Sequence, residues 1–360
     1  MKIINRFILS YFLRILGLCC AAFIGIYLLV DFFERVDKFM DYGAGWQEYS
    51  SYLVHSVPFI FVQILPLAIL TSMVLTLGGL GRTNEMTALR ACGISLWRVT
   101  QPLIALILLL CCLLLLLNEY LIPWSTRQLN ELVEVKLKGK EQIRLTHDKI
   151  WYRSGNRIIN ISVAQARDKQ LQGVTVFTFD DQARIMRRLD VPAAHFRDRQ
   201  WSAPTMVVRD FDPDSGNLVT TQQLEQQVLD LDRQIDDFAE VENASNQLNA
   251  RQLGRMITRL EEEGYDATRQ RVDFHTRLAA PFTGLVMGLL GIPFALQRGR
   301  ESHLALGVGL SLAVGAAYFL LQSMVISFGY AGAVSPIFAA WTGNVVFLLI
   351  AAWLFLGVKQ

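Results

Sequence analysis

Six blocks of this 360-residue sequence are apolar over lengths that soluble cores rarely use. They run over about Ile15–Phe33, Val54–Leu80, Leu103–Leu117, Leu278–Leu296, Leu304–Phe328 and Pro336–Val358, the third extended by its flanks towards Tyr120. A hydrocarbon core about 30 Å thick takes roughly 20 apolar residues as a helix. Inside lipid a helix satisfies its own backbone, so each block reads as a transmembrane helix. The chain is 52% hydrophobic, and its clustering is what separates it from a soluble enzyme of this size. Arg14 and the long first block argue against a cleaved signal peptide.

Net charge is only +2, which gives no global attraction to nucleic acid. The placement of charge is more informative. Lys2, Arg6 and Arg14 precede the first block, and Arg82, Arg90 and Arg98 lie between the second and third. Arg298, Arg300 and His303 lie between the fourth and fifth, Lys359 ends the chain, and the loop Gly329–Ser335 has no charge. The positive-inside rule then puts both termini and the Arg-bearing loops in the cytoplasm. Residues 125–273 fall outside and are long enough to be a domain, between membrane halves at 1–124 and 274–360. None of the five cysteines lies there, so this domain is expected to fold without disulfides. Cys19–Cys20 and Cys111–Cys112 read as small apolar residues within spans.

The external segment reads as mostly β. "KIWYRSGNRIINIS" gives two β-branched and aromatic runs around Ser154-Gly155-Asn156, and "GVTVFTFDDQARIMRRLDV" gives another strand–turn–strand. Further short runs follow in "AAHFRDRQW", "PTMVVRDF" and "NLVTTQQL". Many short strands with turn residues between them point to a sandwich or jelly roll. After the polar tract "EVENASNQLNA" a helix is expected over Leu248–Glu263, with Leu253, Met256, Ile257 and Leu260 on one face and Gly264 as its stop. The expected fold is thus an α-helical membrane protein of six transmembrane helices with an inserted periplasmic, jelly-roll-like β domain.

Between the second and third blocks stands "GRTNEMTALRACGISLWR", Gly81–Arg98. Thr83 is placed to cap a short helix at about 82–95, Glu85 sits in its first turn, and Gly93 is placed to stop it. Met86, Leu89, Arg90 and Gly93 share one side. Such a helix can dock into a groove on a soluble partner or lie on the membrane interface, and spacing alone leaves both open.

Motifs for in-chain chemistry are missing from the sequence. It has no G-x-x-x-x-G-K-[ST] phosphate loop, no H-E-x-x-H and no G-x-S-x-G, and its five histidines lack ligand spacing. His275 with Asp273 reads as an interface pair beside Arg277. At the end of the first block, "VDFFERVDKFMDYGAG" carries Asp31 four residues before Arg35 and Glu34 four before Lys38. These pairs can neutralise themselves along a helix, or Arg35 and Lys38 can present cations to an anionic ligand.

"NEMTALRACGIS", "NEYLIPWSTRQLNE" and "VDFHTRLAAPFTGLVMGLLGIPFAL" together resemble the LptF/LptG family of lipopolysaccharide export permeases, over nearly the whole chain. "RVDKFMDYG" and "SPIFAAWTGNVVFLLIAAWLF" are more similar to its LptG branch. The resemblance implies an inner-membrane permease subunit without a cofactor or an enzymatic site of its own. Its implied partners are a paralogous LptF-type subunit, a dimeric cytoplasmic ATPase of the LptB type, an LptC-type membrane protein and a periplasmic bridge. The implied cargo is lipopolysaccharide. Gly81–Arg98 becomes the coupling segment, with Glu85, Met86, Leu89 and Arg90 facing the ATPase. Arg35, Lys38 and Arg127 become candidates for the lipid phosphates, although Glu34 and Asp41 stand where the family resemblance leads one to expect lysine. The competing reading is a membrane anchor or assembly platform whose β domain binds a partner; six spans exceed what anchoring needs.

Overall fold

The computed structural model describes residues 2–41, 45–130, 132, 144–146, 149–165, 169–180, 182, 184–197, 200–213, 215–231, 248–262, 264–297 and 304–357. The chain divides into two compact units, one of Met1–Leu129 with Thr268–Gln360 and one of Asn130–Ala267. These limits lie a few residues inside the expected 125–273.

The first unit is helical. It contains α1 (Lys2–Asp41), α2 (Trp46–Arg82), α3 (Glu85–Ala91), α4 (Leu96–Leu116), a π-helical turn (Leu117–Leu121) and α5 (Ile122–Asn130). Among the described residues, six helical stretches are long and apolar enough to cross a membrane: Ile3–Asp37, Trp46–Arg82, Leu96–Leu129, Thr268–Leu296, Gly307–Tyr330 and Pro336–Leu356. The last three belong to α7 (Thr268–Gln297), α8 (Leu304–Tyr330) and α9 (Pro336–Leu356). The multi-pass helical fold expected from the apolar blocks is therefore present.

Helix α2 holds this unit together because it is apolar on all sides, the pattern of a helix surrounded by others. One side packs Leu65, Ala68, Ile69, Met73 and Leu77 on Ile8, Phe12 and Leu16 of α1 and on Val99, Leu103 and Ile107 of α4. Its other side sends Leu70 and Val74 into a cluster with Met287 and Leu290 of α7, Tyr318 of α8 and Phe347 of α9. In contrast, Leu18, Ile26, Leu29, Val30 and Phe33 of α1 are exposed, as are Leu320 and Trp353 on α8 and α9. Lipid tails are as apolar as these side chains, so in a bilayer they carry no exposure penalty.

A polar network crosses the second half. The Tyr318 hydroxyl donates to Asn344 Oδ1 at 2.9 Å, and the Thr283 oxygen lies 2.8 Å from the Tyr318 oxygen and 3.1 Å from Asn344 Oδ1. Two hydroxyl protons serve these three contacts, so two of them are hydrogen bonds at any moment. Asn344 Nδ2 donates to the Ala279 carbonyl at 2.9 Å, which binds α9 back to α7. Gln322 Nε2 meanwhile donates to the carbonyls of Ala339 and Ala340.

The second unit is a seven-stranded antiparallel sheet in the sequential order β1 to β7. Its strands are β1 (Arg144–Thr146), β2 (Lys149–Ser154), β3 (Arg157–Gln165), β4 (Gln170–Phe179), β5 (Ile185–Arg197), β6 (Gln200–Phe211) and β7 (Leu218–Leu229). The hairpin at Ser154-Gly155-Asn156 is present, with Ser154 paired to Arg157. In connectivity the domain is a meander: among the described residues every strand pairs with its sequence neighbour, without the crossover that a complete jelly roll uses. The run "AAHFRDRQW" is likewise no separate strand; it ends β5 and begins β6.

Prolines mark where this sheet's ladder is interrupted. The β5–β6 register stops after Asp190↔Val207 and resumes at His195↔Ser202. Pro192 and Pro204 both fall in that gap, and proline has no N–H for the ladder. Gly173 lies opposite Pro192 at φ 62. There a side chain would be strained and would also strike the Tyr265 hydroxyl and Ser162. Beyond the sheet α6 (Ala250–Glu262) begins with a reciprocal cap: Asn249 Oδ1 accepts the Gln252 N–H, and Gln252 Oε1 accepts the Asn249 N–H. Leu253, Ile257 and Leu260 are buried as expected, and the N–H groups of Gly264 and Tyr265 close the helix on Glu261 and Leu260.

Candidate functional site

The first site is the connection from α2 to α4. Thr83, expected to cap the short helix, instead closes α2: its N–H donates to the Gly79 carbonyl at 3.0 Å, and its hydroxyl donates to Glu85 Oε1 at 2.9 Å. The cap position belongs to Asn84 at φ 60, a left-handed conformation that asparagine tolerates. Helix α3 therefore spans seven residues, shorter than the 82–95 expected. Gly93 does stop it. At φ 77 it donates to Arg90 at 2.9 Å, and Ile94 donates to Leu89 at 3.1 Å, the paired bonds of a Schellman ending.

These caps fix which residues face outward. Met86 is 6% exposed and packs into the α1–α2–α4 core, with Leu89 and Ile94 partly buried against the same cluster. Glu85, Thr87, Ala88, Arg90, Ala91 and Cys92 are exposed, as are Arg82, Trp97 and Arg98 around them. Of the four residues expected to meet a partner, Glu85 and Arg90 have free outer surfaces. Met86 and Leu89 anchor the helix to the membrane unit.

The second site is the far end of α1. Arg35 Nε donates to Asp31 Oδ1 at 2.8 Å; Asp31 is 6% exposed and Arg35 is half-exposed. The Tyr52 hydroxyl reaches the same Oδ1 at 3.4 Å, and the Arg35 guanidinium lies 5.5 Å from the Tyr52 ring centre. Phe39, Tyr49 and Tyr52 pack together beneath it, with ring centres 5.2 to 6.1 Å apart. The side chain of Lys38 lies outside the described residues. Arg127 is exposed on α5, two residues after Ser125, whose hydroxyl donates to the His55 carbonyl of α2. Trp124 of α5 also lies against His55, at 5.6 Å. Tyr52 and His55 are one turn apart, so Arg35 and α5 flank the same stretch of α2.

The chain matches the lipopolysaccharide export system permeases LptF/LptG over residues 6–357. It belongs to the LptF/LptG family. Among its curated relatives, the LptG permease of Escherichia coli K12 is 20% identical over 331 residues, covering 91% of this chain and 90% of the relative. The Haemophilus influenzae LptG permease is 19% identical over 343 residues, covering 94% and 95%. The E. coli K12 LptF permease is 23% identical over 315 residues, covering 82% and 78%. Membership makes the chain a multi-pass transport permease, and the resemblance drawn from its motifs holds across the whole family match.

The far end of α1 is acidic. Asp31, Glu34, Asp37 and Asp41 outnumber Arg35 and Lys38, and Asp31 already occupies the Arg35 guanidinium. Other charges gather on α7. Asp273 accepts the Tyr330 hydroxyl at 2.6 Å, Arg269 lies over the Tyr330 ring, and Arg277 feels both Asp273 and Glu119 of the π-helical turn. The Asp273–Arg277 spacing was legible in the sequence. Nothing in it announced Glu119 or Tyr330 as neighbours, because each comes from another span. His275 rests edge-on against Phe274.

Proposed function

We propose that this chain is one permease subunit of an ABC-type exporter that takes lipopolysaccharide from the inner membrane and passes it to a periplasmic bridge. It works beside a paralogous LptF-type subunit and an LptC-type membrane protein, and a dimeric LptB-type ATPase supplies the hydrolysis that this sequence has no phosphate loop to perform. Both termini and α3 face the cytoplasm, and the β unit lies in the periplasm. The family match over residues 6–357, with an exposed charged helix set between two spans, is the observation that carries this reading.

Within it, α3 is the coupling element. Met86 and Leu89 root it in the core, so force applied to Glu85 or Arg90 is passed to α1, α2 and α4 rather than lost in a loose loop. Arg35, Lys38 and Arg127 at the far rim are the candidate contacts for the lipid phosphates. The Arg35 guanidinium is half-exposed, so a phosphate can reach it beside the pair it makes with the nearly buried Asp31. Affinity purification of the tagged chain from its native membrane tests the assembly. A second permease and an ATPase should come down with it, and Glu85→Ala should reduce the ATPase while leaving the second permease bound. Recovery of the chain alone, or with soluble β-domain partners only, would support the anchor reading instead.

A further inference from the structure

The first four turns of α1 carry a feature that transport does not account for. An open, shallow surface strip runs along one face of this helix, bordered by Asn5, Arg6, Leu9, Ser10, Leu13 and Arg14. These six residues form two adjacent lines at i, i+4, i+8 spacing. Arg6, Ser10 and Arg14 make a polar line, and Asn5, Leu9 and Leu13 run from polar to apolar beside it. The opposite face of the same turns is committed, since Ile8, Phe12 and Leu16 are buried in the core. Arg6, Leu13 and Arg14 are exposed, and Leu9 and Ser10 are half-buried.

The charges have no partner within the helix. No acidic residue precedes Asp31, and among the described residues neither arginine is paired with a carboxylate. Arg14 borders the apolar block that begins at Ile15, so in a bilayer spanned by that block its head lies at the edge of the hydrocarbon. Arg6 lies two turns further out, about 12 Å along the axis. A guanidinium at that depth meets the phosphates of lipid headgroups, and its planar fork matches them in two hydrogen bonds.

We infer that this face of α1 is a binding site for an anionic phospholipid. The lipid phosphate sits between Arg6 and Arg14 and accepts the Ser10 hydroxyl, while an acyl chain passes Leu13 on its way into the hydrocarbon. The occupant is a phospholipid rather than a free anion because the exposed Leu13 stands beside Arg14 and the apolar block begins at the next residue, Ile15. This inference rests on α1 crossing a membrane and is independent of what the assembly carries.

The test uses the full chain with a photo-crosslinking residue, p-benzoylphenylalanine, at position 13, in nanodiscs of phosphatidylcholine with a minority of phosphatidylglycerol. Mass spectrometry of the adducts should show phosphatidylglycerol captured above its bulk share. Each arginine is worth about a fivefold preference near a charged surface, so R6Q should lower the enrichment about fivefold and R6Q/R14Q about thirtyfold. R6K/R14K keeps the charge and should retain most of it. Added salt should shrink the preference of the parent chain, which gives a reading even where the glutamine variants insert poorly. Capture of the two lipids in their bulk ratio by the parent overturns the site. So does a preference that survives R6Q/R14Q or high salt, and so does loss of the adduct to soluble glycerol phosphate, which would make the site one for free anions. Lipopolysaccharide binding need not be measured, so failure here leaves the transport reading untouched.

Discussion

Removing Arg35 would leave Asp31 nearly buried with only the Tyr52 hydroxyl for company, because Oδ2 already lacks a hydrogen-bond partner among the described residues. Arg35→Ala should therefore destabilise the protein by about 1–2 kcal/mol, less than a fully buried pair because the guanidinium is half in solvent. The double variant D31N/R35A should recover most of that in thermal unfolding in detergent, and is the better probe of substrate contact. If the double variant co-purifies with lipopolysaccharide as the parent does, Arg35 serves the helix and not the cargo. Asp180 makes a separate, pH-dependent case at the β4–β5 turn. Its carboxylate accepts the Arg184 N–H at 2.8 Å, the Arg184 guanidinium and the Gln182 N–H, and the backbone bond from Arg184 is the largest cause holding it below the usual carboxylate range. A depressed acid contributes its full stability above the ordinary range and loses it as pH falls through the lowered value. Protection of the Arg184 amide, taken relative to its intrinsic exchange rate at each pH, should fall over that acidic window in the parent and stay flat in Asp180→Asn.

Among the helices, the join of α7, α8 and α9 through Asn344 is the interaction most open to measurement. Interhelical hydrogen bonds in membranes are worth roughly 0.6–2 kcal/mol, so Asn344→Ala should cost about 1–2 kcal/mol in thermal unfolding. With Asn344 gone, Thr283 and Tyr318 can still bond each other. Tyr318→Phe added to Asn344→Ala should then depart from the sum of the two single effects, and strict additivity would mean that the three groups do not act as one network. This network was invisible in the sequence: its members lie 26 and 61 residues apart, and no spacing rule links them. The spans themselves were legible from length and apolarity alone. Their ends were less so. Helix α1 continues past Phe33 to Asp41, with the Asp31–Arg35 pair lying along its surface as it leaves the apolar block. Likewise, Pro192 and Pro204 were in plain view, but only the strand register shows that they interrupt the same pair of strands.

At the scale of the whole chain, orientation is the property that charge placement predicts most directly. Cys92 and Gly332 are both exposed, on connections at opposite ends of their spans. In a background without the other cysteines, a membrane-impermeant thiol reagent applied to intact cells should label a cysteine placed at 332 and spare Cys92. The reverse pattern would turn the protein over and take the β unit out of the periplasm. The two-unit division was readable because the apolar blocks break off for some 150 residues, a stretch that no helix connection needs. Length has one more consequence. Helix α1 has 40 residues and no proline, so it forms an unbroken rod of about 60 Å, twice the hydrocarbon thickness. α2, α4 and α7 each contain proline. The rod touches α2 near one end through Ile8 and Phe12 and near the other through Phe39. Held to α2 near both tips, the rod cannot swing about either one, so a displacement of α2 at one rim carries α1 with it as a rigid body to the other.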